Sequence, residues 1–231
     1  MDAEHSDHDS APTRALDEVE IRVLGCLLEK ERTTPDDYPL TANALMRAAN
    51  QSTSRYPVVA YDARTVEDAC ASLKAAGLVR FVHMPSGRAT TKYRHVVDEA
   101  WQIDRAEAAI LALLMLRGPQ TPGELKTRAD RLHAFEDLAS VAATLDRLAA
   151  RSPAVVRDLG RGAGQKEDRW AQLLGGEPVL VDRQFGEGRV ARPSAVDASD
   201  RIDRLEAQID ELRSWVIEIR EALGLDVTPP E

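Results

Sequence analysis

The chain has 231 residues, 43% hydrophobic and 30% charged, an ordinary globular balance; aromatics at 4% make any core mainly aliphatic. A formal net charge of −9 leaves no global basic footprint, so nucleic-acid contact would have to rest on a local patch. No apolar run reaches the roughly 18–20 residues that span a membrane, and residues 1–12 lack the apolar stretch of a secretion signal, so a cytoplasmic protein is expected.

Residues 1–15 show no apolar periodicity and read as a disordered acidic tail. Asp17, with Glu20 three positions on, predicts a capped helix start, and Val19, Val23, Leu24, Leu27 and Leu28 follow at helical spacing. The proline-bearing stretch 33–39 ends that helix, and a short one follows from Thr41 with Leu45 and Met46 on its buried face. Residues 50–64 are long for a connection within a domain, which points to function or an irregular cover. Thr65, with Asp68 at the matching position, is the expected cap of a third helix burying Val66, Ala69, Cys70 and Leu73 and closing at Gly77. Strands at 78–83 and 90–96 flank a turn-rich tip at 84–88. Cys26 and Cys70 lie in helical patterns without CxxC spacing and read as buried free thiols.

The order helix, helix, helix, strand, strand then repeats. Residues 103–116 read as an amphipathic helix with Ile110, Leu113 and Leu114 inside. Thr121-Pro122-Gly123-Glu124 joins a cap, a proline at the first helical position and an acid at the third, ahead of Leu125. A third helix at 138–149 uses Val141, Leu145 and Leu148, and strands at 154–157 and 166–174 flank a glycine-rich tip at 160–164. The spacing repeats as well: Arg80 stands 13 residues before Tyr93, and Arg157 stands 13 before Trp170. These aromatics are therefore expected at equivalent places on the two second strands, packed towards the helices.

The expected fold is mainly α with small β wings, as two tandem winged-helix domains at 16–98 and 99–174. A linker follows at 175–199, with Val179-Leu180-Val181 as a short extra strand, and then a C-terminal coiled-coil-like amphipathic helix at 200–225. In that helix Ile202, Ile209, Val216 and Leu223 fall at heptad position a, and Leu205, Leu212 and Ile219 at d. This uninterrupted seam is expected to drive homodimerisation as a parallel two-stranded coil; folding back onto its own chain is the alternative.

The residues Leu24-Gly25-Cys26-Leu27-Leu28-Glu29-Lys30-Glu31 and Thr33-Thr34-Pro35-Asp36-Asp37-Tyr38-Pro39-Leu40 resemble the start of the bacterial YceH-like proteins, a family of undefined function. Asn43-Ala44-Leu45, Asn50-Gln51, Arg55 and Pro57 fit the same pattern. So do residues 116–125, with Arg128, Arg131, His133 and Phe135 after them. The resemblance covers roughly residues 17–174. It implies tandem winged-helix domains and brings no activity or catalytic residues. The chain departs from the pattern at Tyr56, where an acidic or polar residue is expected, and in its longer N-terminal tail.

Little in the sequence points to catalysis. The run Gly160-Arg161-Gly162-Ala163-Gly164 is followed by a strand rather than by the helix N-terminus a phosphate loop needs, so it reads as a hairpin tip. His5, Asp7, His8 and Asp9 lie in the tail, where ordering entropy opposes metal binding. His133 reads as a helix-end residue. No cofactor or metal is implied, and a non-enzyme is expected.

The stronger functional signal is the first wing. Between 78 and 95 it carries Arg80, Arg88, Lys92 and Arg94, with His83 and His95, and no acid. Such a wing suits phosphate contacts, which give affinity but little sequence information. The second wing offers Arg161, Lys166 and Arg169 besides Arg157, diluted by Asp158, Glu167 and Asp168. The expected recognition helices oppose base reading: one presents Glu67, Asp68, Ser72 and a single lysine, Lys74, and the other is largely alanine. The leading expectation is a regulatory or DNA-associated protein making weak, largely nonspecific DNA contact. The alternative is a protein–protein adaptor with no nucleic-acid contact.

Overall fold

The computed structural model describes residues 14–83, 90–161 and 167–176. The acidic tail up to residue 13, the first wing tip with Arg88, Lys166, the linker from 177 on and the seam from Ile202 to Leu223 lie outside the described residues.

Helix α1 spans Glu18–Thr33 and opens on the expected box: Asp17 accepts from the Glu20 amide while the Glu20 carboxylate accepts from the Asp17 amide. A short 3-10 turn at Pro35–Asp37 leads into β1, Leu40–Thr41, and α2, Ala42–Ala49, capped by Thr41. Helix α3, Ala63–Ala75, begins three residues earlier than expected. Its cap is Asp62, which accepts from the Thr65 amide; Thr65 is the third helical residue, and the carboxylate upstream takes the capping role. Strands β2, Val79–His83, and β3, Thr91–His95, follow, then a short helix α4, Val97–Trp101, across the expected junction at 98–99.

The second half comprises α5, Arg105–Arg117, α6, Pro122–Ala129, α7, Leu138–Ala149, β4, Val156–Asp158, and β5, Trp170–Gln172. Asp104, Thr121 and Asp137 cap its helices, each within a reciprocal box. The fold is thus mainly helical with small β wings, as expected.

The two sheets share a plan. In the first, β3 lies between β1 and β2, all antiparallel, with Leu40 and Phe81 on either side of Tyr93. In the second, Trp170 lies between Gln120 and Asp158 in the same register. Gln120 precedes the cap Thr121 just as Leu40 precedes the cap Thr41, so Tyr93 and Trp170 occupy equivalent positions. Tyr93 is buried and Trp170 half-buried against the core.

Helix α5 departs from the amphipathic expectation. Every residue from 109 to 116 is buried, because one side packs on α6 and α7 and another on α1. A helix apolar all round belongs inside a core. Gly25 makes the α1 crossing possible: a Cβ there would lie 3.0 Å from Met115 Cβ and 3.1 Å from Leu116 Cγ. One continuous core therefore runs through both halves.

The long connection after α2 is an ordered clamp. The Asn50 side chain both donates to and accepts from the Tyr61 backbone. Arg22 donates to the carbonyls of Ala49 and Pro57. Arg55, its side chain fully buried, pairs with Glu29 at 2.6 Å and donates to the Ala48 carbonyl. The Tyr56 amide donates to the Leu116 carbonyl, and Arg117 reaches Ser54, so this loop also seals the C-terminal end of α5. A buried charge is tolerated only when paired and hydrogen-bonded, and Arg55 meets both conditions.

Candidate nucleic-acid interface

Alternation along β3 turns Tyr93 and His95 inward and leaves Lys92 and Arg94 on the outer face. Arg80, directly opposite Arg94 on β2, joins them there. This face is not free of acid in space, although its sequence is. Glu99 on α4 pairs with Arg80 at 2.7 Å and with Arg94 at 3.0 Å. Exposed pairs of this kind contribute little to stability, and a phosphate can compete for both guanidinium groups. Lys92, beside Thr41 of β1, has no carboxylate partner among the described residues.

The second wing is arranged differently. Arg161 is exposed and pairs with Asp168 at 3.1 Å. Arg169 is turned inward: it donates to Glu124 and to the Pro119 carbonyl, each at 2.9 Å, and so fastens β5 to the start of α6. Strands β4 and β5, on either side of the glycine-rich run, are antiparallel, and residues 162–166 of that run lie outside the described residues.

Neither third helix carries an Asn or Gln, and exposed arginines are few. On α3, Arg64 faces Asp68 at 3.9 Å, Lys74 sits 4.5 Å over the Phe81 ring, and Ser72 accepts from Arg14. On α7, Arg147 is held by Asp104 and Glu107, and the other exposed residues are Leu138, Ala139, Ala142, Ala143 and Asp146.

His95, which sequence places among the wing cations, is buried at the root of the first wing. Its Nε2 lies 3.2 Å from Glu31 and its Nδ1 3.6 Å from Asp98. Neither nitrogen is aligned for a full hydrogen bond. The imidazole nevertheless holds the Glu31 carboxyl below the usual carboxylate range. The Tyr38 hydroxyl accepts from the His95 amide at 2.8 Å, and burial drives that phenol well above its ordinary value. The inward register of position 95, two residues from Tyr93, is the one signal that identifies it.

The expected buried thiols are found. Burial pushes the Cys26 thiol up to about 11 and the Cys70 thiol up to about 12, so neither is a reactive thiolate at neutral pH. His133 packs edge-to-face on Phe135 at 4.6 Å. Among the described residues no group of three or more His, Cys, Asp or Glu is placed to hold a metal ion, and no helix is long and apolar enough to cross a membrane.

These features define a mainly helical protein built on a repeated three-helix and hairpin unit. Residues 16–165 match the family described as "Protein of unknown function, DUF480", and the chain belongs to that family, in line with the YceH-like resemblance. It is 46% identical over 193 residues to a UPF0502 protein of Geotalea daltonii, covering 84% of this chain and 88% of that relative. A UPF0502 protein of Dechloromonas aromatica is 42% identical over 214 residues, 91% of this chain and 97% of its own length. One from Xanthomonas campestris is 45% identical over 216 residues, 94% of each chain.

Proposed function

We propose that this protein is a non-enzymatic, DNA-associated regulator of tandem winged-helix type, acting in the cytoplasm. It touches the DNA backbone weakly and without sequence preference through the outer face of its first wing. The observation that carries this reading is the register placing Arg80, Lys92 and Arg94 on one exposed sheet face. The acid-bearing surface of α3 and the largely apolar one of α7 favour phosphate contact over base reading.

The test is a titration of duplex DNA at several salt concentrations. Each phosphate contact adds about one unit to the slope of log affinity against log salt. The triple change Arg88→Ala, Lys92→Ala and Arg94→Ala is expected to lower both affinity and slope, equally for two unrelated sequences. Absence of binding by the unaltered protein at low salt overturns the reading.

A second reading, a protein–protein adaptor, is favoured by one observation: Leu138 is 53% exposed at the head of the alanine face of α7. It takes precedence if the DNA titration is negative.

A further inference from the structure

Beside the outer face of the first wing, the end of α1, the segment leading into β1, α2 and β3 enclose a groove of about 430 Å³. Lys30, Arg47 and Lys92 line it from three different elements, together with Gln51 and with Asp37 as the one acid in its lining. Arg47 and Lys92 have no ion-pair partner among the described residues. Lys30 lies 3.4 Å from Glu29, but that carboxylate is already taken by Arg55 at 2.6 Å. The lining therefore carries a surplus of positive charge, while Pro39, Ala44 and Ala48 give part of it an apolar surface.

The repeat supplies an internal comparison. Thr41 lies opposite Lys92, and the register of Gln120 with Trp170 makes Thr121 and Arg169 their counterparts. In the second half the third residue of α6 is Glu124, which completes the box with Thr121 and neutralises Arg169 at 2.9 Å. In the first half the third residue of α2 is Ala44. The carboxylate that would close the box and pair with Lys92 is missing, and the groove stands open in its place.

We propose that this groove binds a phosphorylated small molecule of nucleotide size. Its phosphates lie between Arg47, Lys92 and Lys30, and its organic part rests on Pro39, Ala44 and Ala48. The volume is within the range of small-ligand sites, roughly 300–1,000 Å³. Arg and Lys supply the charge-assisted donors that phosphate oxygens require. The groove shares Lys92 with the outer face of the sheet, but Lys30 and Arg47 lie on α1 and α2, so ADP binding and DNA contact can be tested separately.

Calorimetric titration of the full chain with ADP, inorganic pyrophosphate and adenosine at low salt tests it. Binding of ADP is expected with a Kd of about 10 μM to 1 mM, with pyrophosphate weaker and adenosine silent. Two variants are decisive. Arg47→Ala with Lys92→Ala, both solvent-facing, should weaken ADP by about tenfold or more. Ala44→Glu should also abolish binding while the protein melts no lower, because it restores the box and neutralises Lys92 as Glu124 neutralises Arg169. Arg80→Ala, outside the groove, should leave ADP binding unchanged. No heat or saturation with either phosphate probe, or undiminished binding in both groove variants, overturns the proposal. Adenosine binding as tightly as ADP does so as well. A negative DNA titration with intact ADP binding would remove only the DNA reading.

Discussion

Replacing Gly25 by Ala pits two effects of opposite sign against each other. In a helix interior, Gly→Ala gains about 1 kcal/mol from backbone entropy. At Gly25 the new methyl would lie 3.0 Å from Met115 Cβ, 3.1 Å from Leu116 Cγ and 3.2 Å from Leu116 Cδ2. Met115 Cβ is fixed to the α5 backbone, so relief requires the two helices to move apart. Overpacking of this kind costs about 1–3 kcal/mol, which more than offsets the propensity gain. The expected net is a loss of about 1 kcal/mol, or a fall in Tm of roughly 2–4 °C for a chain of this size. Gly123, in the first turn of α6, is the control: nothing lies within 3.8 Å of its added Cβ. Gly123→Ala should raise stability slightly or leave it unchanged. Urea and thermal unfolding of both variants decide the matter. Because α1 and α5 belong to different halves, the Gly25→Ala loss should appear as a shift of one transition rather than as a split. A Gly25→Ala protein more stable than the parent would refute the tight crossing.

Two further outcomes are expected. Arg14 hydrogen-bonds the buried Glu20 carboxylate and is the main reason its pKa falls from 4.5 to about 2. A depressed carboxylate stabilises the fold above its unfolded pKa, so this contribution is complete above pH 4.5 and is lost as pH falls towards 2. With Arg14 partly exposed, it is worth about 2 kcal/mol at most, and Arg14→Ala should flatten the stability curve over that window; an unchanged curve would refute the pairing. For the seam from Ile202 to Leu223, the proposal is homodimerisation: the full chain should sediment as a dimer and a chain ending at residue 199 as a folded monomer, and a full-length monomer at about 10–50 μM would exclude it.

The sequence is legible where the physics is local. The Asp17 and Thr121 boxes and the spacing that aligns Tyr93 with Trp170 all involve residues within one element or one hairpin. The Asp62 cap is not legible in the sequence, because two acceptor side chains, Asp62 and Thr65, stand within four residues and only the backbone decides between them. Nor is Glu99 legible as the partner of Arg80 and Arg94, because it lies past the end of the wing and its approach depends on the turn into α4. The all-round burial of α5 follows from α1 of the other half, a contact that no periodicity within residues 105–117 encodes. The groove was invisible for the same reason: Lys30, Arg47 and Lys92 are far apart in sequence, and the absence of an acid at Ala44 means something only once the halves are aligned in space.

The segments that carry the YceH-like resemblance now divide by role. Glu29, Asn50 and Arg55 are consumed internally, since each makes a hydrogen bond or ion pair that holds the clamp against α1 and α2. Gln120 and Arg128 do the same for the second half: Arg128 donates to the Gln120 side chain, which itself donates to the Leu113 carbonyl. Asp37 and Gln51 make no side-chain hydrogen bond among the described residues, yet both face the groove with Lys30. A polar side chain that stabilises nothing internally is free to meet a ligand. The second half, with Arg169 already neutralised by Glu124, keeps the scaffold without the open charge. The repeated fold thus presents one charged face and one supporting unit, joined through the shared core of α1 and α5.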